Sequence, residues 1–403
     1  MGTDTVFVLT ILVLCYAVVS GLVKRWYTAP ALIFVGFGIV LGPFGLNLIE
    51  GATDTESFTV VAQLALTVIL FNQAAQLDLG SAMRRRGVTF RLLIVGIPLA
   101  LGLGTLTALL VLPVMPLWEA VCLAAIVAPT EVALIDALID DERIPERIRH
   151  ALSTESGFYD GFALAAMLAS LALASDNTDP DFARWVWFLI RTEVFSVAVG
   201  AAIGVVGGWI IARSCKRDWM SETWAQLATL AIALVCFATG ERIHGSGFVA
   251  AFAGGLAFAV TVRRIGARPD CQVSDAAGQL LELMVFAMFG GYAVIVGWRD
   301  ANWRVVLFAV LALLAVRLVA VLVALIRTDV PPHERLFIGW FGPRGIGTLV
   351  LGLLMVGRGE IAQAPLITQV VAVTVTLSLV VHSATTYLGI RWLAARESTR
   401  ETV

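Results

Sequence analysis

Three carboxylates lie in stretches of the sequence that are otherwise apolar. Glu155 and Asp160 occur in "TESGFYDG" (154–161), and Glu131 occurs in "APTEVAL" (128–134). A carboxylate screened from bulk water holds either a proton or a nearby cation, and each weakens the binding of the other. If such a group opens alternately to the two sides of a membrane, one ion moves against the other without ATP. These residues therefore indicate ion exchange, provided that they lie inside a membrane.

The two acids of "TESGFYDG" face different directions if the stretch is helical. At about 100° per residue, Ser153, Ser156 and Asp160 share one face, and Glu155 points about 140° away from Asp160. We expect Asp160 to bind the ion and proton, with a helix–helix contact as the alternative role. We expect Glu155 to pair with Arg317, an isolated charge in "LLAVRLVAVLVAL" (313–325). Such a buried pair adds little net stability but is costly to break on one side.

Two apolar stretches are interrupted near their middles. They read "EAVCLAAIVAPTEVALIDALI" (119–139) and "LFIGWFGPRGIGTLVLGLLMV" (336–356). A proline removes a backbone donor and disfavours helix in the residue before it, so Pro129 and Pro343 predict broken helices. The ends of half-helices carry partial charges, which Glu131 compensates at positive ends and Arg344 at negative ends. The alternatives are two unrelated kinks, and an Arg344 that extends to the membrane surface.

The composition places these stretches in a membrane. The chain has 403 residues, of which 59% are hydrophobic and 14% charged. Apolar runs long enough to cross a bilayer, about 20 residues each, recur from end to end. Hydropathy predicts an all-α integral membrane protein with about thirteen spans, near residues 5–23, 29–48, 58–77, 88–112, 117–139, 150–174, 185–212, 223–239, 245–262, 279–297, 303–326, 335–356 and 366–391.

The two interruptions fall in matching places along the chain. If the seventh span, 183–213, is a linker, residues 1–175 and 223–391 form two halves of six spans, each broken in its fifth span. Matching broken helices are typical of the inverted repeats of secondary transporters, whose binding sites lie at the middle of the membrane. We therefore predict one transmembrane domain over 1–403 with two inverted repeats, whose discontinuous helices in spans 5 and 12 cross, and a short cytoplasmic tail at 392–403.

Basic residues concentrate in alternate loops. The richer loops contain Lys24, Arg25, Arg84, Arg85, Arg86, Arg91, Arg143, Arg147, Arg149, Arg213, Lys216, Arg217, Arg263, Arg264, Arg268, Arg327, Arg335, Arg391, Arg396 and Arg400. Cytoplasmic loops carry the excess of Lys and Arg, so we expect the N-terminus outside and the C-terminus in the cytoplasm. An odd number of spans requires the termini to lie on opposite sides. We expect the protein in the inner (plasma) membrane.

These motifs together resemble one family. "APTEVAL" followed by "ESGFYDG" (155–161) is similar to the PTDP and ESGxND pair of NhaP-type sodium/proton antiporters, in the cation:proton antiporter superfamily. Further similar stretches, in the same order, are "HGSGFVAAFAGGLAFA" (244–259), "FAMFGG" (286–291), "VRLVAV" (316–321) and "GPRGIG" (342–347). The resemblance covers essentially the whole chain.

The resemblance implies roles for individual residues. Asp160 would bind Na⁺ or Li⁺ and the proton, Ser156 and the Thr130 backbone would lie beside it, and Glu131 would hold the position of the family's unwound-helix aspartate. It also implies the Glu155–Arg317 pair and a homodimer in which a core bundle moves against a dimerisation domain. The small residues Gly200, Gly204 and Gly208 form a face for close helix packing, either within one chain or across a dimer.

The chain departs from the family pattern at three places. Tyr159 replaces an asparagine, Glu131 and Val132 replace Asp-Pro, and Asn72 in "FNQAAQL" (71–77) stands where the family often has an acid. Asn72 and Gln76 lie one helical turn apart and offer neutral ligands. We include Tyr159 and Asn72 in the candidate ion site. The departures concern the choice of ion, so Na⁺ or Li⁺ is expected first and K⁺ next.

Other function classes fit less well. A sodium-coupled symporter for an organic solute needs further polar residues, for which the candidates are His382, Ser383, Thr385 and Thr386. The four histidines show no HExxH or Ser/His/Asp spacing, so we expect a transporter and not an enzyme. A channel needs no matched pair of broken helices. We expect no cofactor, no nucleic-acid partner, and a monovalent cation, protons and the lipid bilayer as the partners.

Overall fold

Helices make up the regular secondary structure in the part of the chain that the computed structural model describes: residues 3–48, 55–77, 87–139, 141–175, 182–267, 270–291, 293–358 and 361–401. We number them α1 Thr3–Arg25, α2 Pro30–Leu41, α3 Thr55–Gln76, α4 Val88–Val111, α5 Leu117–Val127, α6 Asp136–Ile139, α7 Glu146–Ser175, α8 Phe182–Lys216, α9 Glu222–Arg242, α10 Gly247–Arg264, α11 Gln272–Gly291, α12 Ala293–Arg299, α13 Trp303–Ala324, α14 Pro332–Trp340, α15 Ile346–Arg358 and α16 Ala364–Glu401.

The helices have the lengths and compositions of membrane spans. Within the described ranges, nine helices are long and apolar enough to cross a membrane. Three shorter apolar helices cover Pro30–Leu41, Leu117–Val127 and Ile346–Gly357. The prediction of an all-α integral membrane protein is confirmed, and each predicted span contains helix. Arg84, Arg85, Arg86 and Arg268, which are predicted to lie in basic loops, are outside the described residues.

The second span is shorter than the sequence predicts. Its helix ends at Leu41 and not near residue 48, because Pro43 has no N–H to continue the helical hydrogen bonds. The chain then folds back, and the N–H groups of Leu46 and Leu48 donate to the carbonyls of Val40 and Leu41, both at 2.8 Å. These bonds satisfy carbonyls that the end of the helix leaves open.

Close backbone contacts join the linker helix α8 to α10. A Cβ on Gly200 would lie 2.1 Å from the Ala250 carbonyl oxygen, and one on Gly204 would lie 2.1 Å from that of Gly254. A Cβ on Gly208 would lie 3.1 Å from the carbonyl oxygen of Phe258. Larger side chains would push the helices apart, so this small-residue face serves helix packing within one chain.

Both predicted interruptions are present. After α5, residues 128–131 are not helical, and a short 3₁₀ turn, Val132–Ile135, leads into α6. After α14, residues 341–345 are not helical, and α15 begins at Ile346. We call 128–131 the first break and 341–345 the second break.

The spans before the two breaks share another irregularity. π-helical turns occur at Leu92–Gly96 in α4 and at Leu311–Val316 in α13. The second of these immediately precedes Arg317. Such turns are rare in proteins, and those that occur often lie near functional sites. The fourth and eleventh spans thus match in the same way as the fifth and twelfth.

Candidate functional site

The two breaks contact each other in the interior of the protein. The Glu131 N–H, in the first break, donates a hydrogen bond of 2.8 Å to the Pro343 carbonyl of the second break. The Ser156 hydroxyl of α7 donates to the Thr130 carbonyl. Glu131, Thr130 and Ser156 are all buried. Groups that the first break removes from helical bonding therefore find partners in α7 and in the second break, as buried backbone groups require.

Asp160 lies beside the start of α15. Its side chain is 5% exposed, and neither carboxylate oxygen accepts a hydrogen bond from the described residues. A Cβ on Gly347, the second residue of α15, would lie 2.9 Å from Asp160 Oδ1. The N-terminus of a helix has unpaired N–H groups and a positive partial charge, which favour an anion at this place.

Glu131 faces the same helix end. Its side chain is buried, and a Cβ on Gly345 would lie 2.8 Å from Glu131 Cγ. Asp160 and Glu131 thus approach the start of α15 from α7 and from the first break. Two carboxylates close together and away from water are costly if both are charged. A proton or a cation between them removes that cost.

The pair of Glu155 and Arg317 lies at the opposite end of the second break. Arg317 Nη1 and Nη2 donate to the two carboxylate oxygens of Glu155 at 3.0 and 3.1 Å. Nη2 also lies 3.3 Å from the Ile338 carbonyl oxygen and 3.5 Å from that of Phe341. Arg317 therefore connects α7 and α13 to the C-terminal end of α14, where the partial charge is negative.

Arg344 contacts the same negative end. It is buried, and its Nη1 donates to the Gly342 carbonyl at 3.0 Å. Its backbone N–H donates to the Ser378 hydroxyl of α16 at 2.6 Å. The positive side chains thus gather at the C-terminus of α14 and the carboxylates at the N-terminus of α15. Each group has the sign opposite to the partial charge of the helix end that it faces.

Tyr159 and Asn72 are the two further predicted site residues. Tyr159 is 2% exposed and belongs to the main apolar cluster of the protein. The Asn72 carboxamide oxygen accepts a hydrogen bond of 2.8 Å from the Ser274 hydroxyl of α11. One turn further along α3, Gln76 Nε2 donates to Asp275 at 2.9 Å. Asn72 and Gln76 therefore connect α3 to α11.

Ser378 is not among the residues predicted from the sequence, and His382 is a candidate there only for a different transport class. Both are buried on α16 beside the second break. The one signal in the sequence is a serine four residues before a histidine in an apolar helix, which places both on one face. Within the described residues, no group of three or more His, Cys, Asp or Glu side chains is arranged as a metal site.

Comparisons with known proteins identify relatives of the whole fold. The family model described as "sodium/hydrogen exchanger, transmembrane" matches residues 9–389. A probable Na⁺/H⁺ antiporter of Schizosaccharomyces pombe is 26% identical over 87% of this chain, which spans 48% of that protein. The K⁺/H⁺ antiporter NhaP of Alkalimonas amylolytica is 25% identical over 96% of this chain, which spans 67% of that protein.

A solved structure has the same arrangement of helices. The sodium proton antiporter MjNhaP1 from Methanocaldococcus jannaschii superposes with a TM-score of 0.80. The match covers 97% of this chain and 98% of that chain, at 17% sequence identity. The common fold therefore extends over nearly the full length of both chains.

Proposed function

The chain belongs to the sodium/hydrogen exchanger family, and we propose that it exchanges a monovalent cation for protons across the membrane by alternating access. The observation that carries this proposal is Asp160, whose buried carboxylate oxygens accept no hydrogen bond from the described residues. Asp160 and Glu131 share the start of α15. One positive charge between them, on a proton or on a cation, satisfies the site, so either ion displaces the other.

In this mechanism Asp160 is the group that changes partner. When the site opens to one side, a proton leaves Asp160 and a cation enters; when it opens to the other side, the cation leaves and a proton returns. Ser156 and the Thr130 carbonyl border the site, and Tyr159 and Asn72 belong to its surroundings. The change of access is a movement of one helix bundle against the other around the two breaks.

The remaining charged residues hold the site in shape. The Glu155–Arg317 pair fixes α7 relative to α14, and Arg344 offsets the negative end of α14. Glu131 offsets the positive end of α15. These side chains contact the breaks and not solvent, which supports roles in positioning the second break opposite Asp160.

We propose Na⁺ or Li⁺ as the cation. K⁺ is the second candidate, because the A. amylolytica relative is a K⁺/H⁺ antiporter and the S. pombe relative a probable Na⁺/H⁺ antiporter. Symport of an organic solute is not favoured. Three of its four candidate residues are engaged within the protein: Thr385 and Thr386 donate to the carbonyls of Val381 and His382, and His382 bonds to the Trp340 carbonyl.

The proposal extends to the arrangement in the membrane. The N-terminus lies outside and the C-terminus in the cytoplasm, as the basic loops indicate, and the protein is a homodimer in the inner membrane. Residues 1–175 and 223–391 are inverted repeats connected by the linker 183–213. Matching breaks and matching π-helical turns in the two halves support this relation.

Purified protein in liposomes tests the exchange. An imposed proton gradient is reported by an internal pH-sensitive dye, and Na⁺, Li⁺ and K⁺ are added in turn. We expect the wild type to dissipate the gradient with at least one of these cations and Asp160→Asn to do so with none, because the amide exchanges no proton. Asp300→Asn, a change at an exposed loop carboxylate, is the matched control. A wild type indifferent to all three cations would contradict the proposal.

A further inference from the structure

The second break removes one backbone hydrogen bond whose two ends remain close to α16. In a continuous helix the Arg344 N–H would donate to the carbonyl four residues earlier, that of Trp340. The break separates these groups. The Trp340 carbonyl keeps one short contact, a bond of 3.1 Å from the Gly342 N–H. Its second lone pair and the Arg344 N–H need partners from another element.

Two side chains of α16 supply those partners. The Arg344 N–H donates to the Ser378 hydroxyl oxygen at 2.6 Å, and His382 Nε2 lies 3.0 Å from the Trp340 carbonyl oxygen. Ser378 and His382 are four residues apart, so they lie one above the other on the same face of the helix. An i, i+4 pair on α16 therefore binds the two ends of an i, i+4 backbone bond that the second break opens.

The two side chains also contact each other. A carbonyl only accepts, so His382 Nε2 carries the hydrogen of its bond to Trp340. In the neutral ring Nδ1 is then an acceptor, and the Ser378 hydroxyl lies 3.2 Å from it. Nδ1 is also 2.9 Å from the Ser378 carbonyl, to which a ring protonated at both nitrogens donates. The bond to Trp340 is present in both protonation states.

We propose that Ser378 and His382 are positioning residues that hold the second break at a fixed width and thereby set the start of α15 opposite Asp160. This role rests on the proposed exchange function. The chain of hydrogen bonds runs from the Arg344 N–H through Ser378 and His382 to the Trp340 carbonyl. It joins the C-terminal end of α14 to the segment that leads into Gly347, which borders Asp160 Oδ1. Arg344, Ser378 and His382 are buried and Trp340 is half-buried, so water has little access to replace a lost bond.

The first break has a similar support. There the Ser156 hydroxyl of α7 donates to the Thr130 carbonyl, and the Pro343 carbonyl accepts from the Glu131 N–H. The sixth span thus supports the break in the fifth, and the thirteenth supports the break in the twelfth. The second break differs in one respect: Ser378 and His382, from one helix, form hydrogen bonds to the residues on both of its sides.

Two substitutions of His382 separate the proposed contact from the rest of the ring. In His382→Gln the side-chain amide nitrogen takes the place of Nε2 and still reaches Trp340. In His382→Asn the amide lies at the position of Nδ1 and contacts Ser378 alone. Ser378→Ala removes the acceptor of the Arg344 N–H. Thr376→Val is the control, because the Thr376 hydroxyl donates only to the Ala372 carbonyl of its own helix, at 2.6 Å.

The first readout is the apparent KM for the transported cation in liposomes, measured with the maximum rate and the yield of folded protein. We expect His382→Asn and Ser378→Ala to raise KM by about tenfold, since the first removes one of the two bonds to the Trp340 carbonyl and the second leaves the Arg344 N–H without its acceptor. His382→Gln and Thr376→Val should stay within about twofold of wild type. Equal KM values for the glutamine and asparagine variants, or a loss of folded protein alone, would overturn the proposal.

The second readout does not depend on transport. Hydrogen exchange of the backbone amides in residues 341–346 is measured by mass spectrometry for the same variants. Faster exchange in His382→Asn and Ser378→Ala, with wild-type rates in the two other variants, supports the link across the break. If the wild type exchanges no cation, the proposed function fails, and this second readout still decides the link: unchanged exchange rates in all variants would refute it.

Discussion

At the scale of single residues, the site is organised by the sign of charge. The carboxylates of Asp160 and Glu131 lie at the N-terminus of α15, and the guanidinium groups of Arg317 and Arg344 lie at the C-terminus of α14. Charges inside a membrane protein are expensive, and they persist where a partner or a function requires them. Arg317 contacts Glu155 and two backbone carbonyls.

The two partners of this ion pair should differ in their effect on stability. Glu155→Gln leaves the Arg317 charge with its backbone contacts, and Arg317→Met leaves both the Glu155 carboxylate and the carbonyls of α14 unpaired. Breaking a buried pair on one side costs about 3–5 kcal/mol. We therefore expect Arg317→Met to lower the midpoint of thermal unfolding in detergent more than Glu155→Gln does.

The double variant Glu155→Gln/Arg317→Met measures the coupling between the two charges. It removes both charges, so its loss of stability should be smaller than the sum of the two single losses. Additive losses would show that the pair contributes no coupling.

At the scale of elements, the breaks are useful because they bring helix ends to the interior of the protein. A continuous twelfth span would present no N–H groups to Asp160. Because Gly347 has no side chain, the Asp160 carboxylate approaches α15 closely. Because Gly342 has none, there is room for Arg317, whose Nε would lie 1.8 Å from a Cβ at that position. The geometry of the site therefore depends on two glycines that flank Pro343 and Arg344.

Gly347→Ala should impair cation binding more than folding. The added methyl group would lie 2.9 Å from Asp160 Oδ1, closer than ordinary contact, so the carboxylate must shift. A shift of this size at a reacting group has large effects on rate or affinity. We expect the apparent KM for the cation to rise by roughly tenfold or more. Gly357→Ala, on the same helix with open space around its Cβ, is the control and should match wild type.

At the scale of the whole molecule, contacts at one surface join the first helix to the elements that carry the site. Tyr27, which follows α1 and has a φ of 55°, packs its ring 5.3 Å from that of Tyr387 on α16. Its hydroxyl accepts a hydrogen bond of 3.0 Å from Arg143, between α6 and α7. Hydrogen bonds from Arg143 hold the pKa of Asp141 below its ordinary value. The Asp141 carboxylate is therefore charged at neutral pH. Its contribution to the stability of the folded protein is lost only as pH falls through the lowered pKa.

The number of titrating carboxylates determines whether the exchange carries current. With Asp160 as the single group that releases a proton, one cation moves for one proton and no net charge crosses. We expect no membrane potential when a cation gradient is imposed on liposomes containing a voltage-sensitive dye. A potential driven by the cation would indicate that Glu131 also releases a proton in each cycle, because it shares the start of α15 with Asp160.

The sequence alone determined which segments are spans, where two of them break and which charges lie inside, because hydropathy, proline and glycine act over a few residues. It also suggested Arg317 as the partner of Glu155, since few charges in the membrane were left to choose from. It gave the second helix too many residues, because hydropathy does not detect the stop at Pro43.

Contacts between distant parts of the chain were decided only by the tertiary structure. Three such contacts depend on how the helices rotate and slide against each other. They are the bond between Asn72 and Ser274, the packing of the glycine face of α8 on α10, and the hydrogen bonds of Ser378 and His382 to the second break. A shift of one residue along a helix turns a side chain by about 100° and moves it by about 1.5 Å, which is enough to make or lose a hydrogen bond. No local pattern of residues specifies that rotation, because it results from the packing of all the helices together.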